Sequence, residues 1–276
     1  MAKPRILTIA ATAALAALTL SACSTGGGTE PAESGAQGEG VTLEQVQADG
    51  KLVVGTEGTY APFSFHEGGT GDLTGYDVEI ITAVAEKLGV EVEFQETQWD
   101  AIFAGLDSGR FDVIANQVSI NPDRAESYDF STPYTYSPGV LIVTEDSPIT
   151  SLEELEGVSS AQSLTSNWAD VAREFGAQVE AVEGWAQAVE LLRQGRVDAT
   201  INDALTFYDY EVNEGGDTGL KIVDETAEVS ENAFTFVKGS DSLVEAVNEA
   251  LEELTADGTL KEISERYFDA DVSVAP

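Results

Sequence analysis

The chain is poor in the residues that carry most enzyme chemistry. Its 276 residues include one cysteine, one methionine and one histidine, His66, which lies in a Gly-rich stretch. It contains no HExxH, GxSxG, Walker-type or CxxC motif, so the sequence gives no basis for zinc, serine-nucleophile, P-loop or dithiol chemistry. A single cysteine also excludes an internal disulfide. We therefore expect no catalytic residues, no metal site and no cofactor.

Basic residues are scarce as well. Lys and Arg together number 13 against 50 Asp and Glu, which gives a net charge of −37 at pH 7. Removal of residues 1–22, which hold Lys3 and Arg5 but no acid, leaves 11 basic residues and a net charge of about −39. Such a surface repels nucleic acid and anionic lipid head groups. We interpret it as a solvated surface that resists aggregation, and we exclude nucleic acid as a partner.

The one cysteine, Cys23, closes a short export signal. Lys3 and Arg5 precede an apolar run over 6–20, and Ser21-Ala22 supplies small residues for cleavage. The run is shorter than the roughly 20 residues that span a bilayer. Leu20-Ser21-Ala22-Cys23 resembles the lipobox of bacterial lipoproteins, so we predict a signal peptide over 1–22 and a lipid anchor on Cys23. The alternative is an ordinary secretory signal that carries a cysteine by chance.

A flexible linker is predicted to follow the anchor. Residues 24–40 consist of Gly, Ser, Thr, Glu, Pro, Ala and Gln, with no apolar period. As a random coil this segment spans roughly 20–25 Å. We therefore expect residues 23–40 to tether a globular body to the extracytoplasmic face of the cell membrane.

From Val41 onward the sequence alternates strand and helix patterns. Such alternation predicts an α/β fold with a largely parallel sheet, here in two α/β units and hence two lobes. The predicted strands cover 51–56, 90–94, 111–115, 140–144, 178–182, 197–202 and 234–238, and the predicted helices cover 76–88, 99–109, 168–175 and 185–194. Two C-terminal helices are predicted to start at capping boxes opened by Ser242 and Thr259.

Polar residues follow several of these strands, where open α/β sheets bind ligands. A predicted loop over 116–124 ends at Arg124, whose guanidinium fork matches a carboxylate. Thr165 and Ser166 precede a helix whose N-terminal N–H groups also suit an anion. Asp203 ends another strand and suits an ammonium. Each feature alone is more commonly structural, but together they match the two charged groups of an α-amino acid.

Several spaced motifs strengthen this interpretation. They are Glu57-x-x-Tyr60-Ala61-Pro62-Phe63, Gly75-Tyr76-Asp77-Val78-Glu79, Trp99, residues 115–124 and residues 128–134. With them, residues 41–268 resemble the polar amino acid-binding proteins of ABC importers, bacterial solute-binding protein family 3. The resemblance implies a type II periplasmic-binding-protein fold, in which two α/β lobes enclose a ligand cleft. We expect lobe 1 to comprise 41–135 and 233–276, and lobe 2 to comprise 136–232.

The resemblance also implies ligand contacts for each part of an amino acid. It implies that Arg124 binds the α-carboxylate, helped by backbone groups of Ser119, Thr165 and Ser166. It implies that Asp203 binds the α-ammonium, assisted by the carbonyl of Gln117. Tyr60 and Trp99 form aromatic walls around the side chain.

Two segments point to a subgroup within this family. Residues 161–167 and 195–203 look most like those of cystine- and cysteine-binding lipoproteins. Glu57 faces the expected side-chain pocket, where it could pair with the second ammonium of cystine or with the cationic group of lysine or arginine. The expected function is a monomeric, lipid-anchored binding subunit that delivers an amino acid, cystine or cysteine first, to a membrane permease with a cytoplasmic ATPase.

Two other functions fit the same residues. An enzyme similar to the cyclohexadienyl dehydratases would use Glu57 as its general acid and would turn over prephenate or arogenate. A ligand-sensing or adhesive surface protein would work without a transporter, so that uptake of the amino acid would survive deletion of the gene.

Overall fold

The structure, a computed structural model, describes residues 40–276. The predicted signal peptide over 1–22, the lipidation site Cys23 and the linker as far as residue 39 lie outside the described residues. Within the described part, no helix has both the length and the apolar character needed to cross a membrane.

Helices and strands alternate along most of the described chain. The α-helices are α1 Leu43–Asp49, α2 Tyr76–Leu88, α3 Trp99–Asp107, α4 Pro122–Ser127, α5 Asn167–Glu174, α6 Trp185–Arg193, α7 Ala204–Asn213, α8 Asp241–Ala256 and α9 Thr259–Phe268. The strands are β1 Lys51–Thr56, β2 Thr59–Tyr60, β3 Ser64–His66, β4 Leu73–Thr74, β5 Glu91–Glu96, β6 Val113–Ser119, β7 Tyr128–Phe130, β8 Thr135–Thr144, β9 Ser159–Gln162, β10 Gln178–Ala181, β11 Thr200–Asp203 and β12 Leu220–Val237.

The main sheet has the strand order β11-β8-β12-β6-β1-β5, with β7 paired to β12. β1 runs parallel to β5 and β6, whereas β12 is antiparallel to β6, β7 and β8. The sheet is therefore mixed, and the expectation of a largely parallel sheet was wrong. The reason is that β8 and β12 are long strands that pair antiparallel with each other. Apolar runs in the sequence do not reveal the direction of this pairing.

β8 and β12 form the two crossings of the fold. Asn232 pairs with Thr135 and Val229 with Pro138, and beyond a bulge Leu220 pairs with Thr144. The predicted strand over 234–238 is the end of the 18-residue β12. The crossing strands are thus continuous with the sheet instead of being loose connections.

Buried apolar residues form separate clusters on the two sides of these crossings. On one side α2 and α8 pack on β1 and β6, with Leu52, Ile81 and Val247 fully buried. On the other side the clusters are built from the middle of the chain and include Ile142 and Leu192. The lobe boundaries expected from the sequence, 41–135 with 233–276 and 136–232, stay a prediction.

Amphipathic patterns located the long helices well. The helix predicted over 76–88 is α2, which buries Val78, Ile81 and Val84 and ends at Gly89 in the left-handed conformation, with φ of 75°. Glycine adopts this conformation without the penalty that a Cβ imposes. The helices predicted near 99, 168 and 185 are α3, α5 and α6, each within two residues of its predicted bounds.

The two predicted capping boxes were wrong. α8 begins at Asp241 and α9 at Thr259, so Ser242 and Thr259 lie inside the first turn. Ser242 Oγ accepts the backbone N–H of Leu43 instead, and Thr259 Oγ1 donates to Asp257 Oδ1. Both hydroxyls therefore form hydrogen bonds with groups outside their own helix. The four-residue capping-box pattern does not reveal these partners.

Candidate functional site

A small cavity of about 50 Å³ lies where the two lobes meet. It lies beside the ends of β1, β6 and β11, as expected for an α/β sheet. Its walls are Glu57, Thr59, Tyr60, Trp99, Asn116, Gln117, Ser163, Ser166, Asn167, Trp168, Gly184, Trp185 and Asn202. Five of the nine predicted ligand contacts are among them: Glu57, Tyr60, Trp99, Gln117 and Ser166.

Arg124 lies beside this cavity and is 9% exposed. Asn121 caps the short helix α4 through the N–H of Arg124, which fixes where the side chain starts. The guanidinium lies 5.4 Å from the Trp99 ring centre, donates to the Ser119 carbonyl at 2.9 Å and reaches the Thr165 carbonyl at 3.3 Å. Burial lowers the pKa of Arg124 to about 10, so it stays charged at neutral pH. It forms no ion pair with any carboxylate in residues 40–276.

Asp203 provides a buried carboxylate at the end of β11 and is 2% exposed. Its Oδ1 accepts from Ser137 Oγ at 2.5 Å and from the N–H of Leu205 at 2.9 Å, which caps α7. The other oxygen, Oδ2, has no hydrogen-bond partner in the described part of the chain. Burial raises the pKa of Asp203 to about 6. The carboxylate is held by one oxygen, and its second oxygen is available to a donor.

Glu57 is a second buried carboxylate, directly after β1. Asn116 Nδ2 donates to its Oε2 at 2.7 Å, while Asn116 Oδ1 accepts the N–H of Glu57 at 2.8 Å. Burial raises the pKa of Glu57 to about 7, and the Asn116 bond opposes that rise. Near neutral pH the group can therefore be ionised or protonated, depending on what lies beside it.

Aromatic side chains surround the cavity. Tyr60 and Trp99, predicted as walls, line it together with Trp168 and Trp185. A Cβ on Gly139 would lie 2.2 Å from Trp168 Cζ3, so the indole packs directly on the backbone of β8. The sequence reasoning missed Trp168 and Trp185 because each opens an amphipathic helix and was explained as packing.

Ser119 and Thr165, two of the predicted ligand contacts, make hydrogen bonds within the chain. The loop predicted over 116–119 is part of β6, where Ser119 Oγ donates to Asn232 Oδ1 at 2.8 Å and its carbonyl holds Arg124. The N–H and hydroxyl of Thr165 both donate to Asp100 Oδ1, at 3.0 and 2.8 Å. Neither residue lines the cavity, so both act on its surroundings. Ser166 lines the cavity and caps α5 through the N–H of Ala169.

No metal centre is built from the described residues, since no group of three or more His, Cys, Asp or Glu side chains in 40–276 is arranged to hold an ion. Glu57 and four aromatic side chains line the cavity. Arg124, which lies over the Trp99 ring, and Asp203, which follows Asn202, are buried but do not line it. Residues 52–270 match the family of bacterial extracellular solute-binding proteins, family 3. The chain belongs to this family.

Two relatives cover nearly the whole chain. A probable amino-acid ABC transporter-binding protein of Haemophilus influenzae is 50% identical over 235 residues, 85% of this chain and 91% of that one. The L-cystine-binding protein TcyA of Bacillus subtilis is 48% identical over 255 residues, 92% of this chain and 94% of that one. As a family 3 member, the chain is a bacterial extracellular solute-binding protein.

Two solved structures share the fold. The L-cystine solute receptor of Neisseria gonorrhoeae in its unliganded open conformation is 48% identical, with a TM-score of 0.58 over 84% of this chain and 99% of that one. An ancestral arginine-binding protein bound to arginine is 36% identical, with a TM-score of 0.74 over 79% of this chain and 98% of that one. The receptor with the more similar sequence, described as open, therefore superimposes less well than the arginine-bound protein.

Hydrogen bonds across the cleft indicate that the lobes are closed. Tyr60 OH donates to Asn202 Oδ1 at 2.8 Å and accepts from Thr206 Oγ1 at 3.2 Å. At the rim, the Asp100 carboxylate accepts three bonds from Leu164 and Thr165. The cavity is far smaller than the roughly 300–1,000 Å³ of typical ligand pockets. The lobes must therefore separate for an amino acid to enter.

Replacing Asp100 by Ala is expected to favour the open form. The exposed, charge-assisted bonds to Leu164 and Thr165 are worth about 0.5–1.5 kcal/mol together. The dissociation constant of a ligand with one ammonium, such as cysteine, should therefore rise about two- to tenfold, because the change disfavours closure. The Asp100 charge also helps to raise the pKa of Glu57, so cystine, lysine and arginine report on both effects. Calorimetry measures the affinities, and spin-label distances between the lobes measure closure. Asp241→Ala, an exposed change on α8, is the control; equal affinity and equal lobe distance in Asp100→Ala and wild type would contradict this role.

Proposed function

We propose that this protein captures L-cystine, or L-cysteine, and delivers it to the membrane permease of an ABC importer that has a cytoplasmic ATPase. One cleft in one chain holds groups for the carboxylate, the ammonium and the side chain of such a ligand. On this proposal Arg124 binds the α-carboxylate, Asp203 the α-ammonium, and Tyr60 and Trp99 enclose the side chain.

The observation that carries the proposal is that the buried guanidinium of Arg124 has no carboxylate partner in the described part of the chain. The chain has 50 acidic residues, yet this buried guanidinium pairs with none of those in the described part. A buried cation without a counter-ion is costly to keep. Two aromatic rings, Trp99 and Phe103, and two carbonyls hold it in place instead. A ligand carboxylate supplies the missing charge, with the planar two-bond geometry that guanidinium favours.

The choice of cystine rests on Glu57 and on the relatives. Cystine carries a second ammonium, and the Glu57 carboxylate in the cavity wall is a partner for it. Two proteins 48% identical to this chain carry L-cystine in their names. These two observations support cystine ahead of other polar amino acids.

Lysine and arginine remain the second candidate because of the charge count. Arg124, Asp203 and Glu57 together carry −1 when all three are ionised, which a ligand of net charge +1 balances. Cystine is neutral overall, and its second carboxylate adds an anion to the cleft. The binding measurements below separate these ligands.

Removing either charged partner should abolish tight binding. Arg124→Ala and Asp203→Ala should each cost about 2–5 kcal/mol, a loss of roughly 30-fold or more in affinity, because the ligand charge is left unpaired in a closed cleft. Calorimetric titration of the protein without its first 23 residues, against cystine, cysteine, arginine and lysine, measures this loss and ranks the ligands.

Arg110→Ala is the matched control for Arg124→Ala. Arg110 is exposed and contacts the Phe111 ring, 6.0 Å away, outside the cavity. Its loss should leave the affinity unchanged. Unchanged affinity in Arg124→Ala or Asp203→Ala would overturn the site assignment, and tighter binding of arginine or lysine than of cystine would overturn the choice of ligand.

The affinity for cystine should rise with pH. Burial raises the pKa of Glu57 to about 7 and of Asp203 to about 6, and each must be ionised to hold an ammonium. From pH 6 to 7.5 the ionised fraction of Glu57 rises roughly eightfold and that of Asp203 roughly twofold. Wild type should therefore gain roughly 16-fold for cystine. Glu57→Gln should gain only the twofold part, and so should wild type with cysteine, which has one ammonium; an equal gain in Glu57→Gln and wild type would contradict the role of Glu57.

A raised pKa also suits a general acid, which is the observation that favours a dehydratase-like enzyme. Two features argue against it. Asn116 donates to Glu57 and so stabilises the ionised form, whereas a general acid must hold its proton. The relatives named above are also binding proteins. We therefore propose a protein that binds and releases its ligand unchanged, so prephenate and arogenate should not be turned over.

We further propose that Cys23 carries a lipid anchor and that the protein acts as a monomer. The lipobox-like sequence supports the anchor, and the completeness of the cleft within one chain supports the monomer. Two acyl chains anchor stably, since each buried CH₂ contributes about 0.8 kcal/mol. Cys23→Ser should move the protein from the membrane fraction to the soluble extracytoplasmic fraction, as measured by immunoblotting of the fractions. Retention of Cys23→Ser on the membrane would contradict the anchor.

A further inference from the structure

Strand β6 is interrupted by a bulge inside the main sheet. Ala233 of β12 pairs with Val118, and Thr235 pairs with Ile114. An advance of two residues along β12 therefore corresponds to four residues along β6. The extra residues fall within 115–117, and all of β6 is buried. Bulges beside binding sites redirect side chains away from the regular pleat. This bulge brings Asn116 and Gln117 to the wall of the cavity.

Gln117 has an unusual backbone conformation in the bulge. Its φ is 49°, in the left-handed region that residues with a Cβ rarely adopt. Only one other non-glycine residue among 40–276, Asp269, has a positive φ. A strained backbone persists only where surrounding contacts hold it.

Asp77 on α2 supplies those contacts. Its Oδ2 accepts the N–H of Gln117 at 2.7 Å, and its Oδ1 accepts from Gln117 Nε2 at 2.6 Å. The carboxylate is fully buried. Both ends of one residue, backbone and side chain, are therefore fixed by one carboxylate, and Thr135 Oγ1 of β8 takes a third bond from Nε2 at 3.1 Å.

The two hydrogen bonds from Gln117 to Asp77, called the clamp from here on, also determine which side-chain atom of Gln117 has no hydrogen-bond partner. Both oxygens of Asp77 accept from Gln117, so the amide turns its Nε2 toward Asp77 and its Oε1 away from it. The acceptor Oε1 then has no partner, although it is buried in a residue that is 6% exposed and lines the cavity. Buried polar atoms are rarely left without a hydrogen bond, and an acceptor beside the cavity calls for a donor.

We infer that Gln117 Oε1 accepts a hydrogen bond from the ligand ammonium and that Asp77 is the positioning residue that holds it there. This inference rests on the proposed function, because it needs an α-ammonium in the cleft. It adds a side-chain acceptor to the backbone carbonyl predicted from the sequence, and it gives a role to a carboxylate that does not line the cavity.

A charge exchange between the two residues tests the clamp. Asp77→Asn puts an amide donor against the Gln117 donors, and Gln117→Glu puts two carboxylates together; each should weaken binding about tenfold or more. The double variant Asp77→Asn/Gln117→Glu restores complementary hydrogen bonds in the reverse sense and keeps an acceptor at position 117. It should bind within about threefold of wild type. Calorimetry should use whichever of cystine, cysteine, arginine or lysine binds wild type best, and melting curves should accompany it.

Glu79→Gln is the matched control on the same helix. Glu79 contacts Arg266 and the Tyr267 hydroxyl away from the cleft, so its loss can lower stability but should not alter affinity. Wild-type affinity in Asp77→Asn, no recovery in the double variant, or an equal loss in Glu79→Gln would each overturn the clamp. If Asp77→Asn does not fold, the comparison of Gln117→Glu with the double variant decides. Absence of any amino acid binding by wild type would instead refute the proposed function.

Discussion

The structure depends on keeping four charges buried without ion pairs. Arg124, Glu57, Asp77 and Asp203 are each at most 9% exposed, and none pairs with an opposite charge in residues 40–276. Burial raises the pKa of Glu57 and Asp77 to about 7 and of Asp203 to about 6, and it lowers that of Arg124. A lone buried charge costs several kcal/mol unless hydrogen bonds compensate. Much of the local architecture supplies those bonds.

The crossing strands are the main source of this compensation. Ser137 on β8 donates to Asp203, and Thr135 on β8 accepts from Gln117, the residue held by Asp77. Asn232 on β12 accepts from Ser119, whose carbonyl in turn accepts from Arg124. The segments that connect the lobes are therefore the segments that fix the charged groups. A change in the arrangement of the lobes therefore moves the proposed binding groups. In this way ligand contacts in a cleft bias the equilibrium between the open and closed forms.

The sequence predicted what depends on local patterns. β1 over 51–56 and α2 over 76–88 were correct to the residue, because one is a short apolar strand and the other an amphipathic helix ended by a glycine. Asp203 was proposed as a ligand contact because polar residues at strand ends point to the ligand edge of an α/β sheet, whereas Gln117 was proposed from the family resemblance. Both assignments stay predictions.

What the sequence could not show depends on tertiary pairing. The strand predicted over 111–115 continues to Ser119, since its polar residues are absorbed by a bulge and by partners on α2 and β12. The hydrogen bond from Thr165 to Asp100 could not be foreseen either. Its N–H was assigned to a ligand anion, but Asp100 lies on another element 65 positions away in sequence and meets it only when the lobes are closed.

On the proposed site assignment, the buried carboxylates explain how a very acidic protein can bind a zwitterionic amino acid. A net charge of −37 exerts little net force on a neutral zwitterion, so selectivity must come from short-range groups. Glu57 and Asp203 have pKa values near 7 and 6, so part of their population is neutral at ordinary pH and the cleft does not carry its full negative charge in advance. An arriving ammonium favours the ionised form and lowers both pKa values. With Glu57 and Asp203 in their proposed roles, binding is therefore coupled to proton release, and the cleft becomes charged when the ligand brings the opposite charge.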